Sequence, residues 1–262
     1  MPTRRALITA AALLPSLRAP ADARTILAAT PISRMDLPWW KRRFEEKQAE
    51  LRARPPRLVF YGDSITQNWE RSGPPEWQNF APIWRAFYGD RDALNLGFTG
   101  DTTASLLWRV EHGEAEGIAP KAAVILIGAN NLGRLHWSAE DTLAGIDAII
   151  SELRRRLPRT QLVLLSVLPS GRGAWAEATR AAINAGLAAR YREGVPGVTY
   201  LDVTGIFLRD GRIDTGAYLD PRLTPPEPAL HPDARAAARM AAAIEPTLAR
   251  LLGDREHRMP GA

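Results

Sequence analysis

Five short apolar runs divide this chain at regular intervals, and each is followed by a stretch in which apolar residues recur every three or four positions. The runs cover residues 57–63, 93–97, 122–128, 161–168 and 198–203, and their length and continuity predict strands buried on both faces. The stretches between them predict helices around 76–87, from Asp101-Thr102-Thr103, from Ser138, over 174–192 and from about Asp233. On the helix that starts at Ser138, Leu143, Ile146, Ile150, Leu153 and Leu157 form one apolar stripe, and Asp141 stands where a capping box needs an acceptor side chain. A further amphipathic helix, Trp39 through Arg52, precedes the first strand and stops before Pro55-Pro56. Strands alternating with helices predict an α/β fold, a three-layer α/β/α sandwich around a five-stranded parallel sheet with right-handed crossovers. In such sheets ligands bind beyond the carboxyl ends of the strands.

With 262 residues, 45% of them hydrophobic, the chain can bury one full core, and no linker rich in Gly, Pro or Ser divides it. The alternating body spans 57–253, with an extension at 24–56 that carries the amphipathic helix and a short tail at 254–262. Residues 1–23 read as a secretory signal: Thr3-Arg4-Arg5, an apolar run from Ala6 to Leu17, then small residues up to Ala23. The expected location is periplasmic or secreted, and the paired arginines resemble a twin-arginine signal. The run is short for a membrane span, so no stable membrane insertion is expected once the signal is removed.

The formal net charge of +5 is spread over helix faces without a basic block, and Arg4, Arg5, Arg18 and Asp22 would leave with the signal. Nucleic acid is therefore not an expected partner. There is no cysteine, which removes disulfides, thiol nucleophiles and thiolate metal sites from consideration. The histidines and acids show no metal-ligand spacing and no phosphate-binding Gly-Lys-Ser loop occurs, so no metal or cofactor is expected.

Four segments fall at the strand ends where chemistry is expected. Gly62-Asp63-Ser64 sets a serine in a strand-to-helix turn, where it would be exposed. Asn95-Leu96-Gly97-Phe98-Thr99-Gly100-Asp101 follows the second strand, Gly128-Ala129-Asn130-Asn131 the third, and Leu230-His231-Pro232-Asp233 leads into the last helix. Together they supply a hydroxyl, a glycine amide, a side-chain amide and an imidazole, the set that acyl transfer requires. His136 and Trp137 are candidates for the mouth of the site, and Trp39, Trp40, Trp69, Trp77 and Trp84 for either core or a sugar-stacking surface.

These blocks, in this order, resemble the SGNH or GDSL hydrolases, and among them the catalytic subunits of platelet-activating-factor acetylhydrolase and related bacterial esterases. The resemblance runs from about Leu58 to the C-terminal helix and is densest in Gly62–Ser64, Asn95–Trp108 and Gly128–Asn131. It implies a flavodoxin-like sheet, Ser64 as nucleophile, His231 as general base, and an oxyanion hole made of the Ser64 and Gly100 amides and the Asn130 side chain. One position departs from the family. Three residues before the histidine, where an aspartate is usual, stands Pro228. Glu227 is the candidate third catalytic residue, with Asp220 and Asp233 as weaker candidates and a Ser64–His231 dyad as the remaining arrangement. The expected activity is hydrolysis of short, acetyl-type esters, including O-acylated carbohydrate. Acyl transfer to a sugar and glycan binding with a decayed site are the alternatives, and a homodimer is compatible with either.

Overall fold

A computed structural model describes residues 24–192 and 194–259. The expected signal, residues 1–23, lies outside the described residues. Five parallel strands, β1 (Leu58–Gly62), β2 (Ala93–Gly97), β3 (Ala122–Leu126), β4 (Gln161–Leu165) and β5 (Val198–Leu201), form a sheet in the order β2-β1-β3-β4-β5. This flavodoxin-like order leaves a crevice where the winding reverses, between β1 and its neighbours.

The strands carry no polar face because both faces are covered. Leu58 and Phe60 of β1, with Val124 of β3 and Val163 of β4, pack against α3 (Ala81–Tyr88) and α8 (Ala234–Leu252). Val59, Tyr61, Ile125 and Leu164 point the other way, into a second core with α4 (Thr103–Arg109), α6 (Ala139–Arg156) and α7 (Ala174–Tyr191). The α6 stripe is buried as its spacing predicts, and the Ser138 hydroxyl accepts from the Asp141 amide at 3.1 Å. Among the described residues no helix is long and apolar enough to cross a membrane.

Two expectations need correction. The helix foreseen around 76–87 is a single 3-10 turn, Glu76–Gln78, followed by α3. Pro82 lacks an N–H and therefore suits the first turn of a helix but not its interior. Four of the strands end one to three residues early, because the chain at their carboxyl ends turns toward the crevice. At Gly128 this turn has φ of 124°, open to glycine at little cost.

The N-terminal extension is bound to the sheet's rim. Helix α1 (Pro38–Ala53) buries Trp40 and Phe44, which pack with Phe98 just past β2. Of the five candidate tryptophans, Trp40 and Trp69 are core, Trp77 and Trp84 pack half-buried on the α3/α8 side, and Trp39 is exposed under Arg34. The five do not lie on one face: Trp69, Trp77 and Trp84 belong to the α3/α8 core, Trp40 packs with Phe98, and Trp39 stands apart.

Candidate active site

The register of β1 sets the site. Gly62 lies opposite Gly97 of β2 on one side and Leu126 of β3 on the other, so the loops that follow these three strands emerge together. Asp63 caps the four-residue helix α2 (Ser64–Gln67) by accepting from the Ile65 amide at 2.9 Å. Ser64 is the first residue of that helix, a position whose N–H has no intrahelical acceptor. The serine is only 8% exposed, less open than the turn alone predicts, because the loop carrying His231 folds over it. His231 Nε2 lies 2.9 Å from Ser64 Oγ.

The acid facing His231 is Asp220, not Glu227. Asp220 Oδ1 lies 2.6 Å from His231 Nδ1, while its Oδ2 accepts from the backbone amides of His231 at 2.6 Å and Leu230 at 2.9 Å. The loop doubles back to make this contact. Tyr218 and Pro232 form an antiparallel bridge, the Leu219 amide donates to the His231 carbonyl, and the Asp233 amide donates to the Ala217 carbonyl. Residues 221–230 are an excursion out of that bridge. Glu227 is on its exposed part and touches Asp220 only by donating its amide to the Asp220 carbonyl. Asp233 caps α8 through the Ala236 amide and pairs with Arg222. One signal in the sequence pointed to Asp220: it follows Ala217-Tyr218-Leu219, an apolar triplet that is wholly buried, whereas Glu227 is flanked by prolines.

Burial by itself would raise the Asp220 pKa, but hydrogen bonds and the charge interaction with His231 outweigh it and hold the carboxyl below the usual range. Asp63 behaves in the opposite way. Burial pushes it up to about 6, against the pull of the Ile65 amide, and its Oδ2 has no partner among the described residues. An acid whose pKa is raised on folding holds its proton longer in the native state, so stability falls as pH climbs from about 4, the unfolded value, to about 6. Asp63→Asn escapes this loss. It is expected to exceed the parent by about 2 kcal/mol at pH 7 and to match it near pH 4, measured by urea unfolding across that range. A constant difference over the whole range would show that Asp63 does not titrate as described.

Gly100 adopts φ of 76°, a left-handed conformation that suits glycine, and among the described residues its amide has no acceptor. The Asn130 side chain is buried and donates one N–H to the Asp101 carbonyl at 3.0 Å, which leaves the second free and ties Asn130 to the Gly100 loop. Asn131 is fully engaged elsewhere, with Oδ1 accepting from the Thr103 amide and Nδ2 donating to the Thr103 hydroxyl. Trp137 lines a cleft beside Gly100, whereas His136 turns away onto Trp175, ring centroids 5.2 Å apart.

Under these loops lies a buried ionic cluster that sequence reasoning missed. Arg109, fully enclosed, donates to the Gly62 and Leu96 carbonyls and pairs with Asp101 and Glu114. Asp101 also accepts from Trp40 Nε1 and Arg34, both at 2.8 Å. One guanidinium thus joins the ends of β1 and β2 to the residue after Gly100, and the N-terminal extension completes the arrangement. Among the described residues no group of three or more His, Cys, Asp or Glu side chains is placed to hold a metal.

A five-stranded parallel sheet with Ser64, His231 and Asp220 in contact at its crevice places the chain among the α/β proteins built on a flavodoxin-like sheet. The model of the GDSL-like Lipase/Acylhydrolase family matches residues 60–239, and the chain belongs to that family. Platelet-activating factor acetylhydrolase IB subunit alpha1 of Homo sapiens is 37% identical over 123 residues, 47% of this chain and 48% of that protein. The chain spans about half the length of the curated relatives it matches. Among solved structures, a GDSL-like lipase from Bacteroides thetaiotaomicron superposes with a TM-score of 0.60 at 18% identity, covering 80% of this chain and 97% of that one. A carbohydrate esterase family 3 structure from Talaromyces cellulolyticus gives 0.55 at 17% identity, covering 76% and 99%. At these identities the two structures show a shared fold.

Proposed function

We propose that this protein is a serine esterase that hydrolyses short, acetyl-type esters through an acyl-enzyme on Ser64. The observation that carries the reading is the continuous contact from Ser64 Oγ to His231 Nε2 at 2.9 Å and from His231 Nδ1 to Asp220 at 2.6 Å. In this reading Ser64 Oγ attacks the ester carbonyl as His231 takes its proton, and Asp220 holds the tautomer and stabilises the imidazolium. The oxyanion that develops is met by the Ser64 and Gly100 amides and the free N–H of Asn130. His231 then gives its proton to the departing alcohol. Water attacks the acyl-enzyme as His231 takes its proton, and His231 returns that proton to Ser64 Oγ as the acid departs.

Family membership supports acyl hydrolysis, and the acetylhydrolase relatives support a short acyl group. O-acylated carbohydrate is the proposed natural substrate, in keeping with carbohydrate esterases of the same fold. Export is part of the proposal and rests on residues 1–23. Asp220 facing His231 supports hydrolysis over a binding protein with a decayed site. The test is labelling with a fluorophosphonate followed by peptide mass mapping, alongside turnover of 4-nitrophenyl acetate. The expected result is one label, on Ser64, and loss of turnover in step with labelling. A label elsewhere, or turnover that survives complete labelling, overturns the reading.

The oxyanion assignment has its own consequence. Asn130→Ala is expected to lower kcat about 10²–10³-fold with KM little changed, since the lost hydrogen bond strengthens only as charge develops. Steady-state kinetics check this, and a change confined to KM would contradict it.

A further inference from the structure

A cleft of about 240 Å3 opens beside Gly100, with Ile32, Leu135 and Trp137 on its apolar side and Arg34 and Arg134 on its polar side. The two guanidiniums converge on one point. A Cβ built on Gly100 would lie 2.6 Å from Arg134 Nη1 and 3.3 Å from Arg34 Nη2. Their balance of charge differs. Arg34 is tied to the Thr99 carbonyl at 2.9 Å and to Asp101 at 2.8 Å. Asp101 is completely buried and also pairs with Arg109, so one carboxylate serves two guanidiniums and offsets the Arg34 charge only in part. Arg134 has neither a carboxylate nor a hydrogen-bond acceptor for its side chain among the described residues. A third guanidinium, Arg172, is half-buried nearby with Nη1 on the Ala129 carbonyl at 3.0 Å. Its pKa is lowered, chiefly by burial and further by the like charge of Arg134, with Asp63 opposing.

Like charges held side by side repel until an anion with two or three oxygens bridges them, and the guanidinium fork matches carboxylate and phosphate geometry. Resting on the esterase reading, we propose that this cleft selects esters whose alcohol half carries a carboxylate or phosphate, with Arg134 as the residue that binds it. The anion belongs to the alcohol because an acetyl-type acyl group has no room for one. The apolar wall of Ile32, Leu135 and Trp137 would then cover the carbon frame between the anion and the ester.

The test compares 4-acetoxybenzoate with its neutral methyl ester, each kcat/KM being divided by the rate of alkaline hydrolysis of that ester. The wild-type enzyme is expected to favour the anion by about 10-fold or more, as a charge-assisted hydrogen bond implies. That preference is expected to fall toward one in Arg134→Gln and to shrink as ionic strength rises to about 1 M. Replacing the benzoate by 4-acetoxyphenyl phosphate identifies the anion by the larger preference. No wild-type preference, or an equal loss on both esters in Arg134→Gln, overturns the proposal. So does an Arg134-dependent preference for 4-nitrophenyl hydrogen succinate over 4-nitrophenyl butyrate without one for the acetoxybenzoate, which would put the anion on the acyl side. Turnover of neither ester together with an unlabelled Ser64 is the failure of the esterase reading itself, and is distinct from neutral-ester turnover without anion preference.

Discussion

Ser64→Ala is expected to lower kcat for 4-nitrophenyl acetate by about 10⁵–10⁶-fold while leaving the fold intact. The hydroxyl is small, and its hydrogen-bond partner is His231 Nε2, so its removal costs the structure one contact at the edge of the crevice. The chemistry loses far more, because without Oγ there is no acyl-enzyme and water must attack directly. A residual rate of about 10³-fold over uncatalysed hydrolysis is expected from the oxyanion donors and substrate binding, which remain. Kinetics and thermal unfolding on the same preparation separate the two effects. The expected pattern is a melting temperature within a few degrees of the parent with activity near the assay floor. Turnover within tenfold of the parent would leave Ser64 no role as nucleophile.

How far the sequence was readable depended on the kind of order involved. Strand and helix identities followed from local periodicity, and residues such as Val59, Ile125 and Ile146 sit where that periodicity puts them. The positions of Ser64, Gly100, Asn130 and His231 at one crevice followed from the rule that loops at the carboxyl ends of parallel strands converge, together with a resemblance carried by specific residues. The partner of His231 was not readable this way. It depends on a loop that leaves and returns, so the chain distance from Asp220 to His231 says little about their separation in space, and the bridge between Tyr218 and Pro232 has no local pattern. Proximity along the chain favoured Glu227, and the fold favoured the acid whose neighbours Ala217, Tyr218 and Leu219 anchor it in the core.

The Asp101–Arg109–Glu114 cluster was hidden for a related reason. Arg109 lies in the last turn of a short helix, where a basic side chain is expected to reach solvent and favour the helix dipole. Here it is fully buried, and only the three-dimensional meeting of β1, β2 and α4 shows that its donors are used. Burial pushes the Glu114 carboxyl up to about 7 even beside Arg109, so the cluster carries part of its charge conditionally. Its place directly under Gly62 and Asp101 links the N-terminal extension, through Trp40 and Arg34, to the two loops that hold Ser64 and Gly100.

Asp220→Asn and Glu227→Gln form a pair of opposite outcomes. The first is expected to reduce kcat by about 10⁴-fold, because an amide facing Nδ1 no longer fixes the tautomer that leaves Nε2 free to accept the Ser64 proton, nor stabilises the imidazolium once formed. Asparagine is the informative replacement at this position. Its volume and one oxygen are kept, so an acceptor for the Leu230 and His231 amides survives, whereas alanine would release the loop as well as the imidazole. The second substitution falls on an exposed side chain outside the Tyr218–Pro232 bridge and is expected to change kcat less than twofold, as surface changes away from buried polar contacts generally do. The pH profile adds a readout that loop damage alone would not produce. With its pKa held low, Asp220 should lose its charge only below the usual carboxylate range, so the parent should show an acid limb there, and Asp220→Asn, which has no charge to lose, should lack that limb. A large loss in Glu227→Gln combined with near-parental kinetics in Asp220→Asn would reverse the assignment and return the third catalytic place to the loop residue.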